Sequence, residues 1–376
     1  MEKIYLDNAA TTRVLPEVVD IMCQILKDTY GNPSSTYSFG RESKVLIETA
    51  RKSIAKQINA QATEIIFTSC GTEGDNWILS AAVNDLKVTR IITSRIEHHA
   101  VLHTLEVLNI KNPKLEIVYL PVNEFGIIDY LFLENELQNS TKKTLVSLMH
   151  VNNEIGSVLD LNRVGALCVK YAAYFHSDTV QSIGKEKIDV QAANIDFLVA
   201  SAHKFHGPKG IGFVFVKKNT IIQPLIHGGD QEKGFRAGTE AVHQIIGMSK
   251  ALENAYINLD TYKKYILELK EYSILELRKA FPSVKINGSE NTFYNILNVM
   301  LPLATDKTPI ILFYLDMKGI AVSRGSACQS GSIKPSHVLA EILNEDELKQ
   351  PSLRISFSHY NTKKDIDSLI EAIKTM

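Results

Sequence analysis

From residue 64 to about residue 218 the chain alternates short apolar runs with stretches of helical pattern, and this alternation limits the fold more than any other feature. The runs are EIIFTS, RIITS, LEIVYLPV, TLVSLMHV, AYFHSD, IDFLVASA and GIGFVFVKK. Helical patterns start at Thr72, at His98, near Asp129 and around 160–171. Strands alternating with helices in this way predict a mostly parallel sheet with helices on both faces. Ligands of such sheets gather beyond the carboxyl ends of the strands. The polar residues fall there: Ser69, His98, Asn153, Asp178 and Ser201 each follow an apolar run.

From about 240 to 280 the pattern turns helical and charged, as in KKYILELKEYSILELRK, which suits a bridge between domains. After it come VKIN, NILNVMLP, GIAVSRG and LRISFS, with helices expected at 308–318, 335–343 and 363–375. Thr362 and Asp365 open the last of these as a capping box. The mixture predicts a smaller α+β domain, residues 256–376 with 1–12 folded back onto it, beside a large domain of residues 13–255.

Composition closes several routes. Hydrophobic residues make up 45% and charged residues 22% of the 376, as in an ordinary globular protein. A formal net charge of −1 gives no bulk attraction for nucleic acid or an anionic membrane. MEKIYLDNAATT has no apolar signal core, and no stretch approaches the ~20 apolar residues of a membrane span, so a cytoplasmic protein is expected. The cysteines, Cys23, Cys70, Cys168 and Cys328, are scattered without ligand spacing, which argues against a disulfide framework or a metal site. Cys23 and Cys168 lie in helical apolar patterns and read as buried and structural, and Cys70 is assigned a structural role as well.

The strand ends carry the chemistry. In SAHKFHGPKG, Lys204 sits between two apolar runs, either snorkelling from a strand end or holding an amine near a pocket. Gly71 and Thr72 open a helix whose free N–H groups suit an anion, or simply cap it. Asp178 ends a strand with Gln181 close behind it. His98 starts a helix, where an imidazole can present its flat face, and His99 reads as its solvated neighbour. Pyridoxal phosphate needs a lysine amine, an acid opposite its pyridine nitrogen, a phosphate cradle and a flat group against its ring. Lys204, Asp178, Gly71 with Thr72, and His98 supply these in turn, and Ser201 and His203 add two phosphate contacts.

The motifs YLDNAATT, YGNPSS, TEGDN, EHHAVL, MHVNNEIG, HSDTVQSIGK, SAHKFHGPKGIG, HGGDQEKGFRAGT, GSACQSG and LRISFS run in the order and spacing of the cysteine desulfurases, which the chain resembles over nearly its whole length. The resemblance implies a fold-type I pyridoxal-phosphate enzyme with a large, mostly parallel sheet domain and a smaller α+β domain. It implies that Asn153 contacts the cofactor ring oxygen or the substrate, and Gln181 the ring oxygen. It places Thr239 at the phosphate of a partner subunit, hence a homodimer, and gives Arg354 the substrate carboxylate.

Cys328 matches the family's nucleophile, and the small polar residues around it suit an exposed loop. GSAC with the stretch after it resembles the branch with the longer catalytic loop, typical of iron–sulfur assembly. Arg324 stands where relatives often carry serine and puts a cation near the thiol. The expected activity is conversion of L-cysteine to alanine with a persulfide left on Cys328. Lys204 or His98 moves the protons, and the sulfur passes to an acceptor or iron–sulfur scaffold protein. The chain stops at Met376, short of the tail that housekeeping relatives use to dock such a scaffold, which leaves the acceptor open. A selenocysteine lyase, or a non-catalytic pyridoxal-phosphate-binding regulator, is the alternative.

Overall fold

The computed structural model describes residues 3–325 and 335–376. Strand β1 (Ile4–Tyr5) and helices α1 (Pro16–Asp28) and α2 (Ser38–Gln57) precede the alternating region. That region folds as β2 (Ile65–Thr68), α3 (Gly71–Asn84), β3 (Arg90–Ser94), α4 (His99–Lys111), β4 (Glu116–Leu120) and α5 (Tyr130–Gln138). It continues with β5 (Thr144–Ser147), α6 (Leu161–Lys170), β6 (Tyr174–Asp178), β7 (Phe197–Ser201) and β8 (Gly212–Val216). Each expected apolar run holds one strand.

These strands form one seven-stranded sheet in the order β2-β8-β7-β6-β5-β3-β4. The five from β7 to β4 are parallel, whereas β8 runs antiparallel to both β7 and β2. The reversal has a local cause: the link from Ala202 to Ile211 is too short for a crossover helix, so β8 can only return beside β7. Lys204 lies in that link, at the carboxyl end of β7. Side chains alternate between two apolar layers: Leu198 and Phe213 face the helices on one side, Val199 and Val214 those on the other.

The charged bridge is a pair of helices, α7 (Val242–Ile257) and α8 (Leu259–Ala280). Beyond it lie β9 (Lys285–Ile286), β10 (Ile296–Met300), α9 (Ile311–Met317), β11 (Ile320–Ala321), α10 (His337–Ala340), β12 (Ser352–Ser356) and α11 (Lys363–Lys374). Strands β12, β10 and β9 make an antiparallel sheet, and β1 pairs with β11. A separate apolar core joins Leu6 and Ala9 to Ile266, Leu297, Ile355 and Ile370. The Thr362–Asp365 capping box forms at the start of α11. The helix expected over 335–343 is shorter, His337–Ala340, begun by Ser336, whose Oγ accepts from the amides of Val338 and Leu339. Cys23 corrects the expectation of burial, since it lies exposed on α1, while Cys168 is buried and burial pushes its thiol pKa up.

One buried ion pair ties these layers together. Arg51 on α2 gives Glu232 two hydrogen bonds, at 2.6 and 2.8 Å, and donates to the Ile65 carbonyl at 2.8 Å. Glu232 also accepts from the Phe67 amide at 2.8 Å, so the pair is stitched into β2. Glu232 and Lys233 hold φ of 48° and 59°, left-handed values that non-glycine residues keep only when their surroundings demand it. Removing Glu232 leaves the buried Arg51 charge with only the partly exposed Glu48, at 3.0 Å, as a carboxylate partner. Glu232→Ala is therefore expected to lower unfolding stability by about 3–5 kcal/mol in denaturant titration, and a loss under ~1 kcal/mol would show the pair to be dispensable.

Candidate active site

A pocket of about 200 Å³ opens at the carboxyl ends of the parallel strands. Lys204, Asp178, His98, Gly71, Thr72, Asn153, Gln181, Ser201, His203 and Arg354 all line it, a set drawn from positions 71 to 354. Two expected site residues stand apart. Thr239 is exposed and is not part of the pocket wall, and Cys328 lies outside the described residues.

Lys204 Nζ donates to the carbonyls of Ala9 and Ala10 at 2.6 and 2.9 Å, so the N-terminal segment forms one wall. Gln181 Nε2 donates to the same Ala9 carbonyl at 2.9 Å. Asp178 ends β6 with Oδ1 accepting from the Val180 amide at 2.9 Å. Burial raises its pKa to about 6, with that hydrogen bond and the Lys204 charge pulling the other way. His98 is the N-cap of α4, its Nδ1 accepting from the Ala100 amide at 3.2 Å. Burial, then the Lys204 charge, lowers its pKa to about 4, so the ring at the pocket wall is neutral. His203 is likewise neutral, at about 3, and its Nδ1 is 3.1 Å from Thr11 Oγ1.

Arg354 reaches the pocket from β12 and is 1% exposed. Its Nη1 donates to the Asn153 carbonyl at 2.8 Å and its Nη2 to Asp7 Oδ1 at 2.7 Å, while Nε is buried without a hydrogen-bond partner. Ser323 exchanges backbone hydrogen bonds with Arg354. The chain leading towards Cys328 is thereby fastened to a residue of the pocket wall.

The residues present fit pyridoxal phosphate. Ser201 Oγ is buried and lacks a hydrogen-bond partner, as a hydroxyl awaiting an anion would be. A Cβ on Gly71 would come within 2.7 Å of Val180 Cγ2, so glycine keeps the backbone at the helix start accessible. A neutral flat ring, a buried carboxylate and an amine share the same walls.

The pocket also contains residues that the strand-end pattern does not single out. Asp75, Cys70 and the Ala9–Ala10 segment line it, so Cys70 is a pocket residue rather than only a structural one. Asp75 lies one helical turn after Gly71 and Thr72 in TEGDN, a spacing that puts it on their face. His99 corrects its expectation: it is half-buried, its ring 4.7 Å from that of His103 and 4.4 Å from that of His337. Lys185 is buried behind Gln181, with Nζ 3.4 Å from Oε1.

The whole chain has counterparts among known proteins. The aminotransferase class-V pattern matches residues 4–369. The chain belongs to the aminotransferase class-V family. It is 43% identical to a Dictyoglomus turgidum protein named cysteine desulfurase IscS, over 99% of this chain and 94% of that one. A solved NifS-like protein from Rickettsia africae superposes with a TM-score of 0.89 at 35% identity, covering 100% of this chain and 99% of the other. A solved structure titled SspA in complex with cysteine superposes with a TM-score of 0.82 at 31% identity, covering 96% of this chain and 100% of that one.

Lys185 makes the electrostatics testable. Burial, reinforced by the Lys204 charge, lowers its pKa to about 7, against ~10.4 in an unfolded chain. Between those values the unfolded chain binds a proton that the folded one does not, so stability rises with pH through that window. Lys185→Met in the cofactor-free protein is expected to stabilise more at about pH 6 than at about pH 9.5, by up to ~1.4 kcal/mol per unit of depression. Equal shifts in melting temperature at both pH values would contradict the buried, depressed amine.

Proposed function

We propose that this protein is a pyridoxal-phosphate-dependent cysteine desulfurase, which moves the sulfur of L-cysteine onto Cys328 and releases alanine. The observation that carries this is the single pocket in which Lys204, Asp178, His98 and Arg354 converge, in a chain alike along its full length to proteins named cysteine desulfurase. When bound, pyridoxal phosphate supplies an aldehyde for amines and a ring that withdraws electrons from the carbon they carry.

The chain's own residues do the rest. Lys204 would hold the cofactor, and Asp178 would offer a negative charge to its ring nitrogen. His98 would offer the ring a flat, neutral face. Gly71, Thr72, Ser201 and His203 would hold the phosphate, and Gln181 and Asn153 the ring oxygen. Arg354 receives the substrate carboxylate as a planar fork, which orients cysteine with its sulfur free for attack. Cys328, ionised, takes that sulfur and becomes a persulfide. Lys204 or His98 returns a proton to the carbon skeleton, which leaves as alanine.

The enzyme works as a homodimer, with Thr239 serving the partner's phosphate. The exposure of Thr239 supports this, as do the exposed Tyr30, Tyr37 and Phe39 and the exposed Ile221 and Leu225, large apolar side chains of the kind subunit contacts cover. Residues 13–255 act as the cofactor domain, and 1–12 with 256–376 as the smaller one that carries Cys328. The persulfide sulfur goes to an acceptor or iron–sulfur scaffold protein in the cytoplasm. Among the described residues no helix is long and apolar enough to cross a membrane.

Borohydride reduction of the yellow holoenzyme is expected to fix the cofactor on the peptide containing Lys204, and label on another lysine would overturn the assignment. Cys328→Ser should bind cofactor and change colour with L-cysteine, yet release no alanine above background, because a hydroxyl is far harder to ionise than a thiol of pKa ~8.5. Without reductant, the wild type should gain the mass of one sulfur on the Cys328 peptide. Normal turnover in Cys328→Ser, or the added sulfur on Cys70, would move the nucleophile elsewhere.

A further inference from the structure

Three carboxyl groups are shut away from water here: Asp75, 1% exposed, and Asp178, at 7%, line this pocket, and Glu97, 1% exposed, lines a neighbouring cavity. Glu97 is fully served, its oxygens accepting from Ser94 Oγ at 2.7 Å and the Met149 amide at 2.8 Å. Asp178 has the Val180 amide and faces the Lys204 charge. Asp75 is different. It projects from α3 into the pocket wall, and its Oδ1 is buried without a hydrogen-bond partner.

What Oδ1 faces is informative. His176 and Asp178 are two residues apart on β6, hence on one face of the strand, and α3 packs against that strand. His176 Nε2 lies 3.4 Å from Asp75 Oδ1, and it too is buried without an aligned hydrogen bond. The other ring nitrogen, Nδ1, is 2.9 Å from Ser147 Oγ on β5. Two orphaned polar atoms thus confront each other in a dry site, with Asp178 alongside.

We propose that Asp75 carries a proton directed at Nε2 of a neutral His176, which leaves Asp178 as the single carboxylate lining the pocket, free to face the cofactor's ring nitrogen. The role assigned to the ring nitrogen rests on the function proposed above. The protonation rests on the packing. Two carboxylates in one desolvated site do not both ionise, and the charge settles on Asp178, which has the amide and the lysine. The ionisable groups acting on Asp75 are Asp178, Glu97 and Cys70, all of which disfavour a second anion. Burial keeps His176 neutral, at about 3. With the proton on Asp75, its O–H donates to Nε2 and the Nδ1–H donates to Ser147 Oγ, so both orphans are satisfied without any net charge.

Infrared difference spectroscopy of the full-length protein at about pH 8 tests this. A protonated-carboxyl stretch is expected that Asp75→Asn removes and Glu97→Gln leaves in place. In Asp178→Asn the same band should titrate at least about one pH unit lower, because the anion that held the proton on Asp75 is gone. In the holoenzyme, Asp75→Asn should leave the pH titration of the cofactor's visible band within about 0.3 unit of wild type, since a neutral amide replaces a neutral acid. Three results would each overturn the proposal: no band lost in Asp75→Asn, a band indifferent to Asp178→Asn, or a downward shift of the visible titration by about one unit or more. The carboxyl band is expected before and after loading with pyridoxal phosphate. Failure to load would therefore count against the function proposed above and leave the test of the Asp75 proton intact.

Discussion

Charged groups withheld from water in one small space must pair with one another or give up their charge, and the architecture of this pocket follows from that requirement. Lys204 is held at the end of β7 by two main-chain carbonyls, those of Ala9 and Ala10. Carbonyl dipoles solvate an ammonium without adding a full negative charge. Asp178 lies near enough for the Lys204 charge to oppose the effect of its burial, and the same charge depresses His98 and Lys185. Burial is the larger cause at each of these neighbours; the amine's charge adds to it at His98 and Lys185 and works against it at Asp178.

The fold creates this edge by a sequence of local decisions. Parallel pairing from β4 to β7 aims their carboxyl ends the same way, and the short β7–β8 link turns Lys204 back over them. Closure comes from the other end of the chain. Strand β12 brings Arg354 to the same cavity, where it binds the Asn153 carbonyl and Asp7, while β1 pairs with β11 and Leu6 and Ala9 enter the C-terminal core. The N-terminal segment is thus fixed by one apolar core while its carbonyls serve the amine at the edge of another. Disturbing Leu6 or Ala9 packing would be felt at Lys204, although neither side chain bears any chemistry.

Much of this was legible before any coordinates. Strand-end polar residues recur because a parallel sheet delivers successive strands to one edge, so a residue that follows an apolar run is already placed near the others. That logic reaches Asp178, Ser201, His98 and Asn153, and the long motifs extend it to Arg354 and Gln181. It does not reach Asp75 or Lys185, which lie within helical or turn segments where a charged residue ordinarily faces water. It misjudged Cys23, whose apolar neighbours on α1 suggested burial, because a stripe is only as wide as the partner that covers it. His99 was misjudged for the opposite reason, since its cover comes from His337, more than two hundred residues away.

What the sequence determined by itself was the periodic order of strands and helices, and with it a parallel sheet whose ends carry a lysine, an acid and a helix start able to receive an anion. Those features depend on residues close together in the chain, where backbone geometry alone relates position to direction. Only the tertiary structure decided which buried groups share a dielectric environment: that Asp75 faces His176, that Lys185 stands behind Gln181, and that the carbonyls of Ala9 and Ala10 hold Lys204. Desolvation and charge coupling depend on distance through space, and contacts between residues 9 and 204, or 7 and 354, exist only once two cores have packed against each other.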